Sequence, residues 1–147
     1  MNAEAFGTFF ADRKRCERPD NFTQLALVFL GGGIGASMRW LLSASAVRFL
    51  GTAFPAGTFA VNLIGCFLMG LVVEYWSCRL GLSENLRLFL TTGLLGGFTT
   101  FSSFALEAVL LGERGALALS VFYALGSLVL GLGAVVGGIA LARAIAG

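Results

Sequence analysis

The stretch GLLGGFTTFSSFALE, residues 93–107, interrupts an otherwise apolar part of the sequence with two glycines and four hydroxyl side chains. Glycine loses backbone entropy in a helix interior, and Thr and Ser hydroxyls compete with the helix for backbone hydrogen bonds. Gly96 and Gly97, followed closely by Thr99 and Thr100, therefore predict a helix that is broken near its middle.

The composition around this stretch is typical of a membrane protein. Of the 147 residues, 57% are AVILMFWYC and only 12% are charged, against roughly a quarter charged in soluble domains. The net charge of +2 provides no basic face for nucleic acid, and there is no histidine. The cysteines, Cys16, Cys66 and Cys78, lack the spacing of a zinc site or a disulfide framework. We expect no enzyme, because no set of residues combines a nucleophile with a base.

Four apolar stretches are long enough to cross a bilayer, which takes about 20 helical residues. They are residues 25–42, 54–76, 86–111 and 116–145. The sequence thus predicts an all-α membrane protein with a polar N-terminal tail, residues 1–24, and a four-span membrane domain, residues 25–147. A cleaved secretory signal ending near Ala44-Ser45-Ala46 is the alternative for the first stretch, but residues 31–33 and Arg39 interrupt its apolar core.

The charges of the loops are balanced between the two sides of the membrane. An even number of spans puts both termini on one side, and the basic residues outside the tail then divide three against three. Those on the terminal side are Arg79, Arg87 and Arg143, and those on the opposite side are Arg39, Arg48 and Arg114. Because the positive-inside rule acts on this difference, the chain is expected to insert in both orientations. The basic tail fixes the termini inside if its charges count fully.

Polar groups lie deep inside two of the spans. Asn62 is about eight residues into the second span, roughly 12 Å from its start. It either forms a hydrogen bond between helices or donates into a pore, and both alternatives stay open. The break near Gly96 frees backbone carbonyls, which the membrane tolerates only when they are buried, line water or hold an ion. Such carbonyls suit a hard cation such as Na⁺.

Aromatic rings and hydroxyls recur at helical spacing. Phe101 and Phe104 are three residues apart and share a helix face. Their ring edges carry partial positive charge and suit a small anion, although such rings are also ordinary lipid-facing or core residues. The hydroxyl pairs are Thr100 with Ser103, and Tyr123 with Ser127. These hydroxyls form either a polar track or bonds between helices.

Small residues are spaced for close helix packing. The glycines of LALVFLGGGIGA match a dinucleotide-binding turn, but no acidic residue lies between Asp20 and Glu74, so that fingerprint fails. Glycines four residues apart instead predict close contacts between helices in lipid. The pairs are Gly31 with Gly35, Gly93 with Gly97, and Gly133 with Gly137.

Three segments, one in each of the first three spans, resemble the Fluc (CrcB-type) fluoride ion channels. They are GGGIGASMRWLLS (31–43), FPAGTFAVNLIGCFLMG (54–70) and TTGLLGGFTTFSSF (91–104). The resemblance implies an antiparallel, dual-topology homodimer of four-helix subunits with two fluoride pores. It also implies passive fluoride export across the cytoplasmic membrane of a prokaryote, which lowers intracellular fluoride toxicity.

The resemblance assigns roles to individual residues. It implies a structural Na⁺ at the dimer centre, held by the backbone carbonyls of Gly96 and Thr99. It implies that Arg39 is a basic vestibule residue. The residues that it places along the fluoride path are Asn62, Thr100, Phe101, Ser103, Phe104, Tyr123 and Ser127. Two departures stand out: Ser103 occupies a position where threonine is more usual, and the basic tail is longer than the family leads us to expect.

Two other functions compete with this one. A proton-coupled small-drug antiporter needs a carboxylate deep in a span, and Glu107 is the only candidate. It lies near the far end of the third span, where it could pair with Arg39. A non-conducting assembly subunit explains the glycine spacing but leaves the Thr99-Thr100 pair without a purpose.

Overall fold

The structure, a computed structural model, describes residues 21–78 and 83–146. Most of the predicted tail, including Cys16, lies outside the described residues, and so does Arg79. The helices are α1 (Asn21–Leu50), α2 (Ala56–Cys78), α3 (Glu84–Leu88), a π-helical segment (Phe89–Leu95), α4 (Gly96–Phe98), α5 (Phe101–Glu113) and α6 (Leu117–Ala146).

In the part of the chain that the structure describes, four helical stretches are long and apolar enough to cross a membrane. They are Asn21–Leu50, Ala56–Ser77, Glu84–Glu113 and Leu117–Ile145. For the described residues, the predictions of an all-α membrane protein and of four spans are therefore confirmed. We call Glu84–Glu113 the third span; it contains α3, the π-helical segment, α4 and α5.

Helix α1 is longer at both ends than the predicted stretch 25–42. It begins at Asn21, inside the predicted tail, and continues to Leu50. Arg48 lies in its last turn, where a cation interacts favourably with the helix dipole. Gly51 directly follows the helix, and its φ of 79° is a left-handed conformation that favours glycine. Gly115, with φ 78°, plays the same part between α5 and α6.

Glycines set the closest contacts between the spans. On α1, a Cβ added to Gly35 would overlap the carbonyl oxygen of Leu94, and one added to Gly31 would lie 2.7 Å from that of Phe89. Helix α1 therefore packs backbone to backbone against the third span, as the Gly31–Gly35 spacing predicts. The third span meets it with Gly97, where a Cβ would overlap the Gly32 carbonyl.

Helices α2 and α6 pack equally closely, but not through the predicted glycines. The prediction for Gly133 and Gly137 is wrong: a Cβ on Gly133 meets nothing within 4 Å, and one on Gly137 makes an ordinary contact with Phe67. Gly138 instead sits against the Phe67 carbonyl, and Gly70 against that of Val135. The face of α6 that packs against α2 therefore contains Gly138, one residue after the predicted Gly137.

Candidate functional site

Two consecutive residues in the middle of the third span have extended backbone. Thr99 has φ −79° and ψ 157°, and Thr100 has φ −151° and ψ 119°. Gly96 is helical, with φ −64° and ψ −38°, and helix α4 continues to Phe98. The glycines expected to interrupt the helix are thus helical themselves. Gly97 is needed for its close approach to α1, and the hydroxyl-bearing residues that follow carry the extended conformation.

Asn62 of α2 pairs with the backbone of Thr100. Its Nδ2 donates to the Thr100 carbonyl oxygen at 2.9 Å, and its Oδ1 accepts from the Thr100 amide at 2.8 Å. In an uninterrupted α-helix, that amide would donate to the carbonyl of Gly96. The Asn62 side chain thus forms a bond between spans, and the Gly96 carbonyl loses its helical donor.

The carbonyls of Gly97 and Thr99 are also separated from the amides that a helix would supply. The Gly97 carbonyl accepts from Arg39 Nε at 3.2 Å. The amide of Ser103, which a continuous helix would direct to the Thr99 carbonyl, donates instead to Thr100 Oγ1 at 3.2 Å. Thr100 is therefore the N-cap of α5. The carbonyls of Gly96 and Thr99 are left without the amides that a helix would supply.

Three hydroxyls cluster at the N-terminus of α5. Thr100 Oγ1 lies 3.3 Å from Ser102 Oγ and 3.2 Å from Ser103 Oγ. The predicted Thr100–Ser103 pair is thus brought together. Ser102 joins it, although helical spacing gave no sign of this, because its neighbour Thr100 is extended. Thr99 is turned away, since its hydroxyl donates to the Leu95 carbonyl at 3.0 Å.

Glu107 of α5 accepts hydrogen bonds from two hydroxyls on two other spans. Thr58 Oγ1 donates to Oε1 at 2.8 Å, and the Tyr123 hydroxyl donates to Oε2 at 2.8 Å. The suggested pairing of Glu107 with Arg39 is wrong, because Arg39 bonds the Gly97 carbonyl instead. Thr58, 5% exposed, was missed from the sequence. The signal was Glu107 itself, since a carboxylate inside a span requires donors nearby.

The aromatic side chains are continuous with this carboxylate. Tyr123 is fully buried, and its ring centroid lies 5.2 Å from that of Phe104 and 5.5 Å from that of Phe54, which it meets edge-on. Phe104 in turn lies 5.6 Å from Phe101. Phe101 is 79% exposed on the single chain. The ring contacts therefore lead from the buried Tyr123 to a ring at the surface.

The hydroxyls of α6 divide between two environments. Ser120 Oγ donates to the Ala108 carbonyl at 2.6 Å and so joins α6 to α5. Ser127 Oγ is buried and has no hydrogen-bond partner in the part of the chain that the structure describes. Ser127 lies one turn from Tyr123 on the same face of α6. Of the predicted site residues, Ser127 is thus the one with an unused buried hydroxyl.

The predicted site residues fall into two neighbouring groups. One group lies at the extended residues of the third span: Asn62 and Ser103 bond Thr100, and Arg39 bonds the neighbouring Gly97. In the other, Tyr123 bonds Glu107 and its ring contacts Phe104. Within residues 21–78 and 83–146, no group of three or more His, Cys, Asp or Glu side chains is placed to hold a metal ion. A cation bound to these residues would therefore need backbone or hydroxyl oxygens.

Four apolar spans whose polar side chains are bonded to one another between helices define a multi-pass helical membrane protein. The model of the CrcB-like protein, Camphor Resistance (CrcB) family matches residues 26–139, and the chain belongs to this family. A fluoride-specific ion channel FluC of Agrobacterium fabrum is 56% identical over 119 residues, covering 81% of this chain and 95% of the relative. The FluC of Rhodopseudomonas palustris is 51% identical over 119 residues, covering 81% and 96%. The family is one of transporters rather than enzymes.

Proposed function

We propose that this chain is a fluoride channel that lets fluoride leave a prokaryotic cell passively across the cytoplasmic membrane and so lowers its toxicity inside. The observation that carries this function is the similarity to relatives named fluoride-specific ion channels, which extends over nearly their whole length. The neutral donors inside the spans support it. Fluoride is small and strongly hydrated, so its path must replace water with many such donors.

The fluoride path follows the two groups of site residues. Asn62 uses one Nδ2 proton on Thr100 and keeps the other for an anion. The unused Ser127 hydroxyl is a second donor of the same kind. Ring edges of Phe101 and Phe104 supply partial positive charge without a full cation that would trap the ion. The remaining residues of the path are Thr100, Ser103 and Tyr123.

A structural Na⁺ fits the carbonyls of Gly96 and Thr99. Both carbonyls have lost their helical donors, to Asn62 and to the Thr100 hydroxyl respectively. Freed carbonyls of interrupted membrane helices are suitable ligands for Na⁺. Thr99 also falls at the centre of the third span, which is where two antiparallel copies related by an axis in the membrane plane must meet. Two copies then supply four oxygens.

The antiparallel homodimer is supported by exposure as well as by the balanced loop charges. Phe101 is 79% exposed next to the extended residues, and Gly96 is also exposed. A second copy that covers Phe101 places it inside the assembly and beside the proposed path. Arg39 keeps its role as the vestibule cation: its Nε anchors the Gly97 carbonyl, and its terminal nitrogens remain for an anion.

Anion efflux from liposomes tests this function. Purified protein is reconstituted into vesicles loaded with fluoride or with chloride, and efflux is followed with ion-selective electrodes after an ionophore for the counter-cation removes the electrical limit. We expect fast fluoride efflux and negligible chloride efflux, with no dependence on a proton gradient. Equal efflux of the two anions, or none, contradicts the channel. Transport that requires a proton gradient supports the antiporter instead.

A further inference from the structure

A cavity of about 200 Å³ lies where α1 ends, α2 begins and α5 ends. Most of its wall is apolar, but polar side chains from three spans also line it. These are Ser43, Thr58, Glu107 and Arg114, together with Thr52 in the turn after α1. By the order of the spans, this is the side of the membrane opposite the chain termini.

The cavity connects directly with the aromatic side chains of the site. Phe54 lines it and meets the Tyr123 ring edge-on at 5.5 Å. Thr58 and Glu107 line it as well, and Glu107 accepts the Tyr123 hydroxyl at 2.8 Å. Tyr123 then contacts Phe104. The cavity thus lies at the membrane-surface end of the contacts that line the proposed fluoride path.

Arg114 supplies the positive charge of this cavity. It is exposed, and it is the one basic residue among the described residues of the lining. The ion pairs found in the described ranges join Arg87 to Glu84 and Arg143 to Glu74, so Arg114 is in neither. Arg39 does not line the cavity. It lies one helical turn before Ser43 in α1, and its Nε donates to the Gly97 carbonyl.

We propose that Arg114 is the outer cation of the fluoride path, which draws anions into the cavity past the carboxylate of Glu107. This role rests on the proposed function. The carboxylate of Glu107 opposes the entry of an anion, and its two oxygens accept hydrogen bonds from the hydroxyls of Thr58 and Tyr123. A guanidinium on the same wall offsets that repulsion. Arg39 lies closer to the middle of the membrane than Arg114, so an anion that enters from the cavity meets Arg114 first and Arg39 second.

The size of the effect follows from elementary electrostatics. A unit charge roughly 10 Å from an anion in water changes its local concentration about twofold, and low-dielectric walls increase this. The interaction is screened by salt, because the Debye length falls from about 30 Å at 0.01 M to about 3 Å at 1 M. A recruiting charge therefore has a salt-dependent signature that a packing residue lacks.

Fluoride efflux of four variants at low and high ionic strength tests the role of Arg114. We expect Arg114→Gln to lower the rate about two- to threefold at about 0.01 M salt and not at about 1 M, as the screening lengths require. Arg114→Lys should restore the rate, and Arg114→Glu should lower it further. Arg48→Gln is the matched control, since Arg48 is exposed at the same side of the membrane and does not line the cavity.

Each outcome of this comparison has one meaning. Three results overturn the role of Arg114. The first is an equal loss of efflux in Arg114→Gln and Arg48→Gln. The others are no loss in Arg114→Gln, or a loss that is the same at low and high salt. We expect each Arg114 variant to fold, because Arg114 caps α5 through its backbone amide, which donates to the Leu110 carbonyl and does not depend on the side chain. If the wild-type protein shows no fluoride efflux, both the proposed function and the role of Arg114 are wrong. If the wild-type protein conducts fluoride and the Arg114 variants conduct it equally well, only the role of Arg114 is wrong.

Discussion

The amide of Asn62 and the backbone of Thr100 exchange two hydrogen bonds, at 2.9 and 2.8 Å, between the second and third spans. An extended residue inside a membrane span exposes an amide and a carbonyl that lipid cannot satisfy. The side chain of asparagine carries one donor and one acceptor in a fixed plane, and so it matches both groups at once. Asn62 therefore holds the extended backbone in place, and it is proposed to donate to fluoride with its second proton.

Replacement of Asn62 by leucine removes both bonds while it keeps a side chain that branches at Cγ. Each buried backbone group left unsatisfied costs about 1–3 kcal/mol, so Asn62→Leu should destabilise the folded protein and abolish fluoride efflux. Ser37→Ala is the control, because the Ser37 hydroxyl bonds only the Gly33 carbonyl of its own helix. Thermal unfolding in detergent and efflux from liposomes are measured on both. An Asn62→Leu protein as stable as wild type would contradict the bracing role.

The contact between α1 and the third span depends on specific glycines. A Cβ at Gly35 would overlap the Leu94 carbonyl, whereas one at Gly33 would meet nothing within 4 Å. Gly35→Ala should therefore cost about 1–3 kcal/mol or more through overpacking. Gly33→Ala should be neutral or stabilising by up to about 1 kcal/mol, since alanine is the better helix former. Similar melting temperatures for the two variants would argue against this packing.

Much of the fold could be predicted from hydropathy, because four apolar stretches of sufficient length admit few structures other than four spanning helices. The position of the extended residues could not. Gly96 and Gly97 have the weakest helix propensity in the segment, but Gly97 is helical and packs closely against Gly32 of α1. Thr100 is held extended by Asn62. Both constraints come from other spans, and local propensity contains neither of them.

The candidate site shows the same limit. Arg39 and Glu107 carry opposite charges at similar depth, and the sequence therefore suggested a pair. In the structure, Thr58 and Tyr123 reach Glu107, and Arg39 reaches a backbone carbonyl. The residue types do not show that the Gly97 carbonyl lacks its helical amide, so they provide no reason to expect it as a partner for Arg39.

The proposed dimer axis is tested at Gly96. A Cβ there would lie 3.5 Å from the Thr91 carbonyl, an ordinary contact, so the single chain accommodates a side chain at this exposed position. Gly96→Val should therefore leave the helices intact while it weakens the dimer and its Na⁺ dependence. Thr99→Ser, which keeps the backbone and the hydroxyl, should be mild. Dimer fraction is measured by size exclusion in sodium and in a bulky organic cation; a fully dimeric Gly96→Val protein argues against the axis.

Balanced loops predict insertion in both orientations. Tags on the N- and C-termini should be accessible on both faces of the membrane, and deletion of residues 1–20 should leave the distribution even. Ala53→Arg adds a positive charge to the exposed turn between α1 and α2, and should shift the distribution toward one orientation. Termini found only inside, in the full-length and truncated chains alike, would rule out the antiparallel homodimer.

The rings of Phe101 and Phe104 separate a fluoride path from ordinary packing. Isoleucine keeps much of their bulk and removes the positive ring edge. Phe101→Ile and Phe104→Ile should each slow fluoride efflux by about tenfold, the equivalent of about 1.4 kcal/mol, with the dimer retained. Phe122→Ile is the control, because Phe122 is 67% exposed on α6 and isoleucine suits a lipid-facing position. Phe104 also packs against the buried Tyr123 ring, with the ring centroids 5.2 Å apart. Dimer retention is therefore measured together with efflux, because loss of the ring edge should slow efflux only, whereas loss of packing should also reduce the dimer. Normal efflux from both variants would make these rings packing residues, and the path would then have to rely on its amide and hydroxyl donors alone.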